Sequence, residues 1–246
     1  MKQIIVLTLS LLALTGKDFN SETKPSWQLE WAEEFNGSGL PDSKKWDYEN
    51  GLIRNNESQY YQKKSLKNSR LENGKLIIEA HRENVANSNY QKGSKDWRQR
   101  EKSNWSSASV ITLGKKEFLY GRIEVRAKMT QGRGSWPAIW MMGVNRSQVK
   151  WPYCGEIDIL EFLGKDPKTV HSTVHFFDDK KQGHKSNGSH LKHAKLSSQF
   201  HIYAIEWDKD KIDFFINDKK VHSFTIKNAD RSNGENPFRK PHYLLI

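Results

Sequence analysis

The sequence predicts an all-β protein, a jelly-roll β-sandwich of two curved antiparallel sheets with a concave cleft. Three observations predict it. Short runs of alternating apolar residues recur between turn residues from Trp27 onward, no stretch carries three turns of amphipathic helix, and the acidic run Gly155 to Phe162 makes sense only as a strand. With 246 residues, 35% of them hydrophobic, and no internal repeat, one well-filled core is within reach, so a single domain is expected over 27–246.

Taken in order, Lys2 followed by the apolar run Ile4 to Leu14 is a basic segment and a hydrophobic segment too short to span a bilayer. Residues 1–16 therefore read as a secretory signal peptide and 17–26 as a polar linker. The run Leu12-Ala13-Leu14-Thr15-Gly16 resembles the approach to a bacterial lipoprotein cysteine, but Lys17 stands where that thiol would be. A soluble exported protein, extracellular or periplasmic, with no stable membrane insertion, is expected. The clearest strand is Gly121 to Met129, where Ile123, Val125, Ala127 and Met129 take a buried face and Arg122, Glu124, Arg126 and Lys128 a wet one. Lys75 to Ala80, Val170 to Phe176, Phe200 to Trp207, Ile212 to Ile216 and Val221 to Ile226 are further strands, the last two joined by a turn over Asn217 to Lys220. Val85 to Ser107 and Asp178 to Ser198 are polar and read as long loops walling the cleft. Pro241 to Ile246 reads as an apolar strand with nothing after it, which would leave an open sheet edge and marks the chain as truncated.

The charge of +11 comes from 40 Lys plus Arg against 29 Asp plus Glu, spread along the chain rather than gathered in a stripe. That pattern speaks against a nucleic-acid partner and for solubility, while leaving room for an acidic or sulfated polymer; a monomer is expected. Cys154 is the sole cysteine, so there is neither an intrachain disulfide nor a zinc cluster, and it reads as a packed residue rather than a nucleophile.

The acidic run carries the chemistry. On a helix, Glu156, Asp158 and Glu161 would scatter over more than a third of the circumference; on a strand, Glu156 and Asp158 share a face and Glu161 has the wrong parity. One extra residue near Ile159-Leu160, a β-bulge, brings all three acids to one face and sends Ile157, Ile159, Leu160 and Phe162 to the core. Two glutamates flanking a short aspartate are the parts of a retaining glycosidase, provided their carboxyl groups come within about 5–5.5 Å. Trp136, Trp140, Trp151 and Tyr153 nearby supply aromatic surface of the kind that stacks on sugars.

Gly155-Glu156-Ile157-Asp158-Ile159-Leu160-Glu161 resembles the signature of glycoside hydrolase family 16 in its bulged, laminarinase-like form. Trp31 to Gly37, Asn55 to Tyr61, Tyr120 to Lys128, Trp136 to Met141, Thr173 to His175 and Tyr203 to Trp207 resemble further blocks of that family in its order. The resemblance implies Glu156 as nucleophile entering charged, Glu161 as general acid and then base with the higher pKa, and Asp158 as their helper. It also implies sugar contacts from Trp136, Trp140, Trp151 and His175, and a groove rim at Asn55 and Glu57. No cofactor is expected for catalysis, while a structural calcium ion at Glu34, with the Asn36 and Gly37 carbonyls, is implied on the convex side. The expected activity is retaining endo-hydrolysis of β-1,3-glucan or mixed β-1,3/1,4-glucan. A galactanase acting on agar, porphyran or carrageenan, and a non-hydrolysing glucan-binding relative, are the alternatives. One departure is Ser109, where laminarinase-like members often carry an arginine.

Overall fold

The computed structural model describes residues 27–130, 132–193 and 195–246, together with the backbone of Ile4–Ile5. The expected signal peptide and linker otherwise lie outside the described residues. In chain order the strands are β1 (Ile4–Ile5), β2 (Ala32–Glu33), β3 (Asp47–Tyr48), β4 (Gln59–Tyr61), β5 (Ser69–Leu71), β6 (Leu76–Ile78), β7 (His81–Ala86), β8 (Lys102–Ser107) and β9 (Val110–Ile111). They continue as β10 (Gly121–Ala127), β11 (Ala138–Gly143), β12 (Glu156–Phe162), β13 (Thr169–Asp178), β14 (Gly183–Lys192), β15 (His201–Trp207), β16 (Lys211–Ile216), β17 (Lys219–Thr225) and β18 (His242–Leu245). Among the described residues the α-helical content is one turn, Arg146–Val149.

Two sheets form the sandwich. One has the order β17-β16-β15-β10-β1-β2 and the other β14-β13-β12-β11-β18-β9-β3, with small sheets β4-β8-β7 and β5-β6 at the side. Period-two alternation drives them together: Ile139, Met141, Ile157, Leu160, Phe162, Val174 and Phe176 from the seven-stranded sheet meet Ile123, Val125, Tyr203, Ile205, Trp207 and Phe214 from the other in one buried cluster. Full burial of each large apolar side chain contributes about 1.5–3 kcal/mol. A smaller cluster of Ile111, Trp140, Met142, Cys154, Tyr243 and Leu245 lies on the other face of the seven-stranded sheet.

The architecture agrees with the sequence-based expectation, and the differences have physical reasons. The stretches read as loops carry β8 and the ten-residue β14. The sequence of β14, rich in Gly, Ser, Asn, His and Lys, hides its strand character because it edges the sheet and is polar on both faces. On β10 the face expected to be wet is partly buried: Glu124 is only 4% exposed and pairs with Arg122, which also holds Glu206 across the sheet. The open edge expected at Pro241 to Ile246 is absent, because β18 pairs with β11 on one side and β9 on the other. The turn between β16 and β17 is a two-residue connection at Asn217-Asp218, with Asn217 at φ 54°.

Candidate active site

Register decides where the acids point. Across β11, Met142 opposes Glu156, Trp140 opposes Asp158 and Ala138 opposes Glu161, while Met141 opposes Ile157 and Ile139 opposes Leu160. Since directly opposed residues share a sheet face, the three carboxylates lie on one side, and Ile157 and Leu160 enter the main core. The ladder slips between Asp158 and Glu161 against both neighbours, leaving Ile159 as the extra residue. That is the β-bulge the acid spacing requires. Ser172 Oγ donates to the Ile159 carbonyl at 3.0 Å, so the buried polar group freed by the bulge is satisfied.

Each glutamate is held by a tryptophan. Trp151 Nε1 donates to Glu156 Oε2 at 2.7 Å, and Trp136 Nε1 donates to Glu161 Oε1 at 3.0 Å. Both rings remain open, at 42% and 52% exposure, so they can border a bound sugar while orienting the acids. His175, opposite Glu156 on β13, brings Nε2 to 3.0 Å from Asp158 Oδ2, although no hydrogen bond to that oxygen is formed. Its Nδ1 shares a 2.8 Å hydrogen bond with Nε2 of His184, a residue of β14 whose ring lies against Trp151. Gly188 keeps the neighbouring surface flat, since a Cβ there would sit 2.5 Å from the Ser172 carbonyl oxygen and 2.6 Å from Thr173 Oγ1.

The electrostatics differ from the sequence-based expectation. Burial, then the charge of Asp158, pushes Glu156 up to about 8, with His175 and the Trp151 hydrogen bond opposing. Burial, then the charge of Glu161, holds Asp158 well above the usual carboxylate range. Two buried acids in contact cannot both ionise cheaply, so they share a proton. When the proton rests on Asp158, the more deeply buried of the two, Glu156 is relieved of its neighbour's charge and becomes the anion. The expectation that Glu156 is simply charged thus becomes a property of the pair.

Trp140 is placed differently from the other two tryptophans. It is 9% exposed, and the Arg54 guanidinium lies over its ring with Cζ 4.9 Å from the centroid. Arg54 forms an ion pair with Glu49 and donates to Tyr61 Oη at 3.3 Å, while Ser109 Oγ donates to Glu49 Oε2 at 2.6 Å. Trp140 therefore presents little open indole face, and the Arg54 side chain that covers it is itself mostly buried in contact with Glu49 and Tyr61. Ser109, noted for lacking an arginine, belongs to a network that supplies one from Arg54. Asn55 and Glu57, beside it, hydrogen-bond each other at 3.1 Å on an exposed turn.

The donor atoms of Glu156, Asp158 and His175 lie within 4.8 Å of one another, near enough to reach one ion, but that closeness is equally what proton sharing requires. Glu34 joins no such group among the described residues. Its neighbour Glu33 is engaged by the Phe35 amide, Trp46 and Lys45, so a calcium cage of six to eight oxygens would depend on backbone carbonyls for nearly every ligand. The side chains present do not build that cage. Cys154 is buried with its thiol pushed up to about 11 by burial, as suits a packing residue.

Paired glutamates beside a proton-sharing aspartate, bordered by open tryptophans on a β-sandwich face, define a glycoside hydrolase. Residues 56–246 match the family model for glycosyl hydrolases family 16, and the chain belongs to that family. It is 37% identical over 246 residues to a β-glucanase of Rhodothermus marinus, covering 95% of this chain and 79% of that protein. It is similar to a solved structure from work on the endo-acting O-glycanases with which prominent members of the human gut microbiota initiate mucin breakdown. That likeness has 44% identity and a TM-score of 0.82, over 88% of this chain and 78% of that one. The laminarinase of Rhodothermus marinus is similar at 36% identity and a TM-score of 0.74, over 90% of this chain and 85% of that one.

Sequence reasoning missed Arg54, Glu49, Ser172 and His184. Arg54 directly precedes the Asn55-Asn56-Glu57 block, and its adjacency was the available signal. His184 sits in a polar stretch that gave none.

Proposed function

We propose that this family 16 endo-glycosidase works by double displacement, with Glu156 as nucleophile and Glu161 as general acid and base. Glu156 attacks the anomeric carbon as the glycosidic C–O bond breaks, and Glu161 gives its proton to the departing oxygen. Water then displaces Glu156, losing its proton to Glu161, and the enzyme returns to its starting state. Asp158 takes up and returns the proton it shares with Glu156, so the nucleophile is anionic when a sugar arrives. The observation that carries this reading is the bulge at Ile159, which puts the three carboxylates on one face of the sheet.

For the substrate, two readings have specific support. A mucin-type O-glycan chain is favoured by the 44% identity to a structure from the O-glycanase work. A β-1,3-glucan, the expectation from the sequence, is favoured by the laminarinase-like acidic run and by the β-glucanase relative. We place the O-glycan first. An exported location, read from residues 1–16, suits either polymer. Release of new reducing ends from mucin O-glycans, laminarin, lichenan, agarose and carrageenan tests both: preferential release from mucin supports the first, preferential release from laminarin supports the second, and no release from any of them removes the enzymatic reading.

A further inference from the structure

The even-numbered residues of β14 share the face of the carboxylates, because Ser186 opposes His175 and Gly188 opposes Thr173, which itself opposes Asp158. His184 belongs to that row and touches two side chains that in turn meet the acids. Its ring lies 4.7 Å from that of Trp151, the donor to Glu156. Its Nε2 lies 2.8 Å from Nδ1 of His175, whose own Nε2 stands 3.0 Å from Asp158 Oδ2. We propose that His184 is a positioning residue for the nucleophile: it donates from Nε2 to His175 Nδ1 and so keeps the His175 proton on Nε2, toward Asp158, while its ring braces Trp151 beside Glu156. This rests on the reading of Glu156 as the nucleophile of a hydrolase.

The direction of the shared hydrogen bond follows from what each nitrogen faces. In a neutral imidazole, the bond made at one ring nitrogen fixes the state of the other. Were His175 Nδ1 the donor, its bare Nε2 would face the lone pairs of Asp158 Oδ2 or draw away the proton that Asp158 shares with Glu156. That oxygen is buried and has no hydrogen-bond partner. With the proton on Nε2 the same approach is attractive, and Asp158 keeps its own proton for Glu156. One N–H···N bond also requires both rings to be neutral. Burial, then the charge that a protonated His175 would bring, holds His184 below the usual histidine range.

The surroundings suit this role. Lys185, next to His184, turns to the opposite face and pairs with Asp178 at 2.8 Å. Phe177, directly opposite His184, stacks on Tyr153 at 4.2 Å, and the Arg231 guanidinium, itself paired with Asp179, lies over both rings. The segment Trp151-Pro152-Tyr153 is therefore gripped twice, by Phe177 at Tyr153 and by His184 at Trp151. The His175 and His184 rings stack at 5.1 Å with 18° between them. A nucleophile oriented before the substrate arrives removes an ordering cost from the barrier.

The test joins NMR of protein carrying isotope-labelled histidine, at neutral pH, with steady-state kinetics on laminarin and on mucin O-glycans. In the wild type, His175 should show one fixed tautomer, protonated at Nε2. His184→Phe keeps a ring against Trp151 but removes the donor. His175 should then average between tautomers, and kcat should fall about tenfold, the worth of one hydrogen bond, with KM unchanged. His184→Gln, whose amide can donate to Nδ1, should restore the fixed tautomer and most of kcat. The proposal is overturned by a His175 proton found on Nδ1 or averaged in the wild type, by a tautomer or kcat indifferent to His184→Phe, or by equal losses of kcat from the Phe and Gln variants. Because the tautomer is read without substrate, failure of the wild-type protein to cleave either glycan would remove the hydrolase reading separately.

Discussion

Asp213 on β16 and Asp158 on β12 are almost equally buried, at 1% and 2% exposure, and sit in opposite sheets with opposite electrostatics. At Asp213 the burial penalty is outweighed by Lys211 and Lys220, whose Nζ atoms lie 2.7 and 2.8 Å away, so its pKa falls below the usual range. At Asp158 burial is reinforced by Glu161 and relieved only by contact with Glu156, so its pKa rises. Glu124, also buried in the six-stranded sheet, likewise has a cationic partner, Arg122. Burial of a carboxylate is therefore no mark of function by itself. What separates the two sites is that one supplies lysine partners, while the other leaves its acids to one another beside a histidine; Asp178, buried in the same seven-stranded sheet as Asp158 but paired with Lys185, follows Asp213.

The sharpest break in that comparison comes from removing an acid of the unpaired set. Glu156→Gln or Glu161→Gln should each lower kcat by about a thousandfold or more while the folded protein still binds its glycan, as read from steady-state kinetics and titration. Asp158→Asn should cost about a hundredfold and change the pH profile. Its charge raises the pKa of Glu156, so its removal lets Glu156 ionise at lower pH, and the acid limb of kcat/KM should move toward acid. Asp213→Asn should do the reverse, leaving kcat and the pH profile intact while lowering stability at neutral pH by about 1–3 kcal/mol. The depressed pKa of Asp213 gives stability that is present above its unfolded value and lost as pH falls through its folded one, so denaturation midpoints of mutant and wild type should converge toward acid. Ser172→Ala should cost about 1 kcal/mol in urea unfolding by stranding the Ile159 carbonyl, with a modest loss of turnover as the bulge loosens.

Much of this was legible in the sequence because parity is a strict code. Glu156, Asp158 and Glu161 among alternating isoleucines admit one strand solution, and it contains the bulge. Strands with one apolar face, such as β10 and β16, declared themselves for the same reason. β14 did not, because alternation leaves no trace when both faces are polar, and β18 looked like an exposed edge because sequence order says nothing of which strands flank it. The lid over Trp140 was hidden because it joins Glu49, Arg54, Ser109 and Trp140, residues distant along the chain whose meeting depends on how β9, β11 and the turn after β3 are assembled. The shared proton was hidden too, since residue spacing does not report depth of burial.

The central claim is that the extra residue at Ile159 sets Glu156 and Glu161 close enough for one to attack the carbon whose leaving group the other protonates. The most direct test is proton NMR of the first product released from the preferred β-linked glycan, recorded before mutarotation. Retention, seen as the β-anomer forming first, is the predicted result. Appearance of the α-anomer first would contradict the account, because inversion requires the two carboxyl groups to stand about 6.5–9.5 Å apart with a water between one of them and the sugar.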